Sequence, residues 1–255
     1  MKINAISFII GLFAGIFGGL VGIGGGIIMI PLMILFLKLS QHKAHGTSLL
    51  ALVFTGLSGA IIYSLHGSVD IYAAAALALP AVFTIRLGVY YAHSLAEWKL
   101  RKAFGIFLFF CAVMLFLKPY MGNAIVVSSP ASIIIIFVIA GAATGFLSGM
   151  MGVGGGIIMV PVMVLLAGFG QHLAQGTALL VMVPAGAVGA YTNWRLGNVN
   201  NKILYGLVTG ILLGTYSGGY LAHLIAEDIL RLIFVTIMIV LSFRYIKTGD
   251  PEEVE

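Results

Sequence analysis

Charge is what this chain has least of. Only 8% of its 255 residues are Asp, Glu, Lys or Arg, against about 25% in a soluble domain, while 61% are hydrophobic and the mean hydropathy is +1.14. So few polar groups cannot cover a water-facing surface. The chain reads as an all-α integral membrane protein, with apolar stretches of about 20 residues recurring along it and the lipid bilayer as its surroundings. The formal net charge of +5 then reports loop bias and topology, not nucleic-acid binding. Cysteine is nearly absent: the one thiol, Cys111, lies in an apolar run, which excludes an internal disulfide and a cysteine metal cluster. Acidic residues are missing from the middle of every apolar run, since Asp70, Glu97, Glu227 and Asp228 all lie near ends. That disfavours a cation site or a carboxylate proton relay of the usual intramembrane kind. Nothing calls for a metal or a cofactor.

Glycine is abundant, and it is patterned. Val21-Gly22-Ile23-Gly24-Gly25-Gly26-Ile27-Ile28-Met29-Ile30-Pro31 recurs 130 positions later as Met151-Gly152-Val153-Gly154-Gly155-Gly156-Ile157-Ile158-Met159-Val160-Pro161. Residues 11 to 70 align without a gap onto 141 to 200 with 26 identities in 60 positions, so the chain is an internal duplication. Gly11, Gly15 and Gly19 recur as Gly141, Gly145 and Gly149. The opening Met1-Lys2-Ile3 and its apolar run are therefore a retained structural element, not a secretory signal. The expected division is a first transmembrane repeat at 1–118, a linker at 119–130 and a second repeat at 131–255. Apolar elements are expected at 5–38, 46–66, 71–93 and 102–117, then at 132–168, 176–196, 201–223 and 230–247.

Three consecutive glycines stop a helix. Each of the two long elements is therefore expected to be a pair of half-helices around an unwound corner, the second half beginning near Ile27 with Pro31 in its first turns. Orphan N–H groups and the positive end of the helix dipole would point into that corner, and an anion suits both. Either the broken element crosses the bilayer, or it dips in and returns. If it crosses, Lys and Arg divide six against six between the two faces. If it returns, Lys2, Lys38, Lys43, Lys99, Arg101, Lys102, Arg195, Lys202, Arg244 and Lys247 share one face against Lys118 and Arg231. The positive-inside bias selects the second arrangement. It predicts two inverted repeats, each a broken re-entrant hairpin plus three transmembrane helices, with both termini cytoplasmic and a midplane site where the corners meet.

The duplicated Gly-x-Gly-Gly-Gly-x-x-x-x-Pro is followed in each copy by Gln-His (41–42 and 171–172) and by Ala-x-Gly-Thr (44–47 and 174–177). Over essentially the whole chain this resembles the sulfite exporter TauE/SafE family. The resemblance implies a bacterial or archaeal plasma-membrane permease, not an enzyme, for sulfite, sulfoacetate, thiosulfate or a related small sulfur-containing anion, most naturally an exporter.

The candidate substrate-binding residues are Gly22, Gly24, Gly25, Gly26, Thr47, Gly152, Gly154, Gly155, Gly156, Thr177 and Arg86. Close helix packing is the competing account of the glycines. Thr47 and Thr177 are expected to cap the first turn of a helix, with donation to an oxyanion as the sharper reading. Arg86 is the one base well inside an apolar span, so it either attracts the anion or snorkels to the surface. Gln41, His42, Gln171 and His172 read as loop hydrogen-bonding residues, with gating or proton sensing as the alternative. His93, His223, Glu97 and Glu227, at span ends, read as interfacial anchors or loop-pairing residues. Two other functions remain to be weighed: a channel or transporter for another solute or a metal cation, and an intramembrane serine protease using Ser58 and His93. The oligomeric state is open.

Overall fold

The structure is a computed structural model that describes residues 2–92, 97–121, 126–127 and 129–247. These residues form helices joined by short turns. The first repeat gives α1 (Lys2–Val21), α2 (Gly26–Leu37), α3 (Gln41–Leu65), α4 (Ile71–Tyr91) and α5 (Glu97–Met121). The second gives α6 (Pro130–Met151), α7 (Gly156–Leu166), α8 (Gln171–Arg195), a single 3-10 turn at Asn201–Ile203, α9 (Leu204–Leu224) and α10 (Glu227–Ile246). Six of these helices, α1, α3, α4, α6, α8 and α10, are long and apolar enough to cross a membrane. Large apolar side chains such as Leu65, Leu79, Phe83, Ile139 and Leu213 lie exposed on the outside of the bundle, as a lipid-facing belt requires.

Both glycine runs are unwound, as their composition dictates. Gly22, Gly24 and Gly25 have φ of 73°, 92° and 73°, and Gly152 and Gly154 have φ of 66° and 87°, a region that side-chain-bearing residues rarely enter. The chain then folds back. Gly25 lies against the carbonyl of Ala14, and Ile28, Leu32 and Phe36 of α2 share one groove with Phe17, Phe13 and Ile6 of α1, so the short helix runs antiparallel to the long one. Residues 5–38 are thus a helical hairpin.

Long-range packing is set by small residues. Along α1 and α9, Asn4 meets Gly206, Phe8 meets Gly210, Leu12 meets Gly214 and Ile16 meets Gly218, so the two helices run parallel with their backbones almost touching. In the other half α4 and α6 do the same, with Leu77 against Gly141, Ala81 against Gly145 and Ile85 against Gly149. Such close approach is how helices associate in lipid, where burial of apolar surface gives little drive. A methyl group at Gly15 would lie 2.8 Å from Ile211 O and 2.9 Å from Thr215 N. Gly15→Ala is therefore expected to cost about 1–3 kcal/mol through overpacking, measured as a lower melting temperature of the detergent-solubilised protein. An unchanged melting temperature would mean that the seam is looser than this.

At the centre, α3 and α8 cross antiparallel: Gly46 meets Asn198, Gly56 meets Leu179, and Gly176 meets Tyr63 and Ser68. Four elements begin or end differently from the sequence expectation. α3 and α8 start at Gln41 and Gln171, so the Gln-His pairs belong to their first turns and not to loops. α5 runs on through Pro119 to Met121 and α6 starts at Pro130, which shortens the expected 119–130 linker; residues 122–125 and 128 within it lie outside the described residues. Pro31 and Pro161 sit in the second turn of α2 and α7. The carbonyls of Ile27 and Ile157 therefore lose their helical donors.

Candidate functional site

The two unwound segments lie side by side and antiparallel at the heart of the bundle. A methyl group on Gly156 would overlap Gly22 O, one on Gly26 would lie 2.6 Å from Gly152 O, and one on Gly154 would lie 2.8 Å from Ile23 O. Leu52, midway along α3, touches both Gly24 and Gly154, and its counterpart Met182 of α8 touches Gly24. The corners are thus in mutual contact, and each is followed immediately by a helix N-terminus. The first four N–H groups of a helix have no acceptor within it. In α7, Ile158 and Met159 N–H both close on Gly155 O; in α2, Ile28 and Met29 close on Gly25 O. The amides of Gly26 and Ile27, and of Gly156 and Ile157, remain outside the helical ladder and face back toward the corners.

The corners are fixed in place by apolar and polar contacts from the central helices. Gly22 rests on Gln175, and Gly152 rests on His45, its repeat counterpart. Ser48 Oγ is 2.8 Å from both His45 O and Gly152 O, and its proton goes to one of them. The buried Tyr63 hydroxyl is 2.9 Å from Gly19 O and 2.9 Å from the Gln175 side-chain amide. One hydroxyl carries one proton. Both contacts are satisfied when the amide is turned so that its N–H donates to Tyr63, which in turn donates to Gly19 O.

Thr47 and Thr177 do not cap. Each is fully buried in the second turn of its helix, and its hydroxyl oxygen accepts a backbone N–H from the other repeat: Asn200 to Thr47 and Asp70 to Thr177, both at 3.0 Å. They pin the turn that follows one central helix onto the start of the other. Arg86 is not brought to the corners either. It lies on the exposed side of α4 beside Phe83, Leu87 and Tyr90. Ser58, offered as a nucleophile, donates instead to Leu212 O at 2.9 Å, and His93 lies outside the described residues. Among the described residues, no group of three or more His, Cys, Asp or Glu is arranged to hold a metal ion.

The two ends of the bundle differ. At the end where α1 and α3 begin and α8 and α10 finish, a vestibule of about 470 Å³ runs between α2, α3 and α10, lined by Pro31, Ile34, Gln41, His45, Arg244 and Tyr245, and floored by Met151 and Val153. At the opposite end α7 is buried along most of its length. There Lys118 Nζ donates to Phe169 O at 3.3 Å, and His66, His223 and His172 stack with ring centroids 4.0 Å and 5.0 Å apart. His172 Nε2 is 2.9 Å from Ala222 O and its Nδ1 is 3.3 Å from Glu227 Oε1, so the loop before α10 is tied to α8. His172 and Glu227 are thus partners in a closed end, the loop pairing that was one of the two expectations for Glu227.

The comparisons with known proteins agree with this architecture. The family model for "Sulfite exporter TauE/SafE" matches residues 7–245. The probable membrane transporter protein YunE of Bacillus subtilis is 28% identical over 96% of this chain and 97% of its own length. YdhB of the same organism, also a probable membrane transporter protein, is 28% identical over 92% and 96%. MJ0441 of Methanocaldococcus jannaschii, with the same description, is 25% identical over 76% and 73%. No solved structure matches. A family match spanning nearly the whole chain, joined to paired glycine corners within a helical membrane bundle, makes this multi-pass protein a transporter of small molecules, not an enzyme, and a member of the sulfite exporter TauE/SafE family.

Proposed function

We propose that the protein moves a small sulfur-containing oxyanion of the sulfite, sulfoacetate or thiosulfate class out of the cell across the plasma membrane. Residues 1–118 and 131–255 act as inverted repeats about the midplane, and both termini are cytoplasmic. The observation that carries this reading is the contact between Gly22–Gly26 and Gly152–Gly156, which gathers two helix N-termini at one buried place. The antiparallel course of α3 and α8, repeat counterparts, supports the inversion. The gathering of Lys38, Lys43, Arg195, Lys202, Arg244 and Lys247 at the vestibule end supports a cytoplasmic orientation for it.

Among the described residues no carboxylate lies near the corners to couple a cation, so efflux runs down the membrane potential. A negative interior favours an outgoing anion by about 2.3 kcal/mol per charge per 100 mV. In proteoliposomes loaded with sulfite, imposing an inside-negative potential is expected to speed efflux; rates indifferent to the potential would sink the uncoupled mechanism. Titration of the purified protein with sulfite, sulfate, chloride and nickel separates substrate classes. Saturable binding of nickel alone would replace the anion reading with a cation one.

A further inference from the structure

We infer that the oxyanion is not shared equally by the two corners but is seated against the second, where the Thr144 hydroxyl supplies a directed hydrogen bond. This rests on the oxyanion reading above and adds to it a residue outside the glycine motif. A small cavity of about 10 Å³, room for about one water-sized sphere, opens beside Gly154 and Gly155 and is lined also by Thr144, Ser148, Met159 and Met182. Thr144 is only 1% exposed, and its Oγ1 has no hydrogen-bond partner among the described residues.

That is unusual for this chain. A helical threonine ordinarily returns its proton to the carbonyl four residues back, and Thr55, Thr84, Thr192, Thr209 and Thr236 all do so, onto Ala51, Pro80, Val188, Tyr205 and Leu232. Thr144 instead leaves Ala140 O and keeps an unused donor on a residue that lines the cavity, its Cγ2 lying toward Gly155. Thr215 also lacks a partner, but its backbone packs against Gly15 and Gly19 in the α1–α9 seam and it does not line this cavity. Beside Thr144 the first turn of α7 aims the amides of Gly156 and Ile157 at the same corner. The repeat counterparts of Thr144 and Ser148 are Ala14 and Gly18, so the first corner lacks the matching pair of hydroxyls.

An anion with several oxygens is thus held by backbone amides at one oxygen and by Thr144 at another. Chloride is a single atom and gains from that pairing only where both donors converge on one point. The Met159 and Met182 side chains are unbranched and flexible, and they yield the room the anion needs.

The test is calorimetric titration of the full-length protein in detergent with sulfite, thiosulfate and sulfate as probes. Thr144→Ser retains the hydroxyl and is expected to hold Kd for the best probe within about threefold, whereas Thr144→Ala and Thr144→Val raise it about tenfold or more, the loss of one hydrogen bond to a charged group. Thr209→Val, at a half-buried position of α9 outside the cavity lining, leaves it unchanged. Should the valine variant fail to fold, the serine and alanine variants still differ chiefly by one oxygen atom. Equal Kd for those two and the wild type would overturn the Thr144 assignment while leaving oxyanion transport standing. A wild-type protein that binds none of the three probes would overturn oxyanion transport, and the Thr144 seat with it.

Discussion

Gly156→Ala is expected to reduce transport by the order of 100-fold that an ångström-scale displacement at a working geometry produces. Gly156 is the first residue of α7, and the methyl group would overlap Gly22 O while lying 2.9 Å from Ile23 Cα. Those neighbours are backbone, held in turn by Gln175 beneath Gly22. No side chain can swing away to make room, so the two corners must separate. Separation takes the amides of Gly156 and Ile157 away from the place where the other corner presents its own. Gly67→Ala is the matching control: with φ of 68° the new side chain is strained by about 1–2 kcal/mol, but nothing lies within 4 Å of it. That variant is expected to lose some stability and keep its transport rate. Equal rates for Gly156→Ala and the wild type, in proteoliposomes with matched protein content, would remove the corner contact from the mechanism.

Much of this arrangement was legible in the sequence, for identifiable reasons. The duplication is written in identities at a fixed offset, and glycine clusters stop helices wherever they occur, so the hairpins and their corners could be read directly. Charge bias chose the returning hairpin over the crossing one, and α2 does return along α1. What failed was anything that depends on azimuth or on a distant partner. An apolar run reveals how deep Arg86 lies along a span, not which side of the helix carries it, and it is the outer side. Thr47 follows a glycine near a helix start, which looks like a cap, but the group it accepts from is the amide of Asn200, 153 residues away. Thr144 escaped notice because one threonine among Gly, Ala and Ser in a membrane helix reads as packing. Only its missing partner and the cavity beside it set it apart.

Ile34 and Val164 occupy equivalent positions in the two repeats, 130 residues apart, yet Ile34 is 40% exposed and lines the vestibule while Val164 is 1% exposed. A single cysteine at each position, in a Cys111→Ala background, converts that difference into a labelling rate. With a membrane-impermeant maleimide applied from the vestibule end, Ile34→Cys is expected to react readily. Val164→Cys, reached from the opposite end, reacts roughly 10- to 1,000-fold more slowly if the state that exposes it is a minor one populated at about 0.1–10%. The inequality is the physical signature of a repeat pair that shares one sequence pattern but not one conformation: α7 is packed against α5, α6 and α8, while α2 is parted from α10 by a crevice along Pro31, Leu32, Ile237 and Leu241. Exchanging those two environments would close the vestibule and open the histidine-lined end without altering the corner between them. A saturating anion that binds the alternate state more tightly must then slow the first reaction and speed the second by linked factors. Equal labelling of the two positions, with and without anion, would mean that the two ends do not alternate.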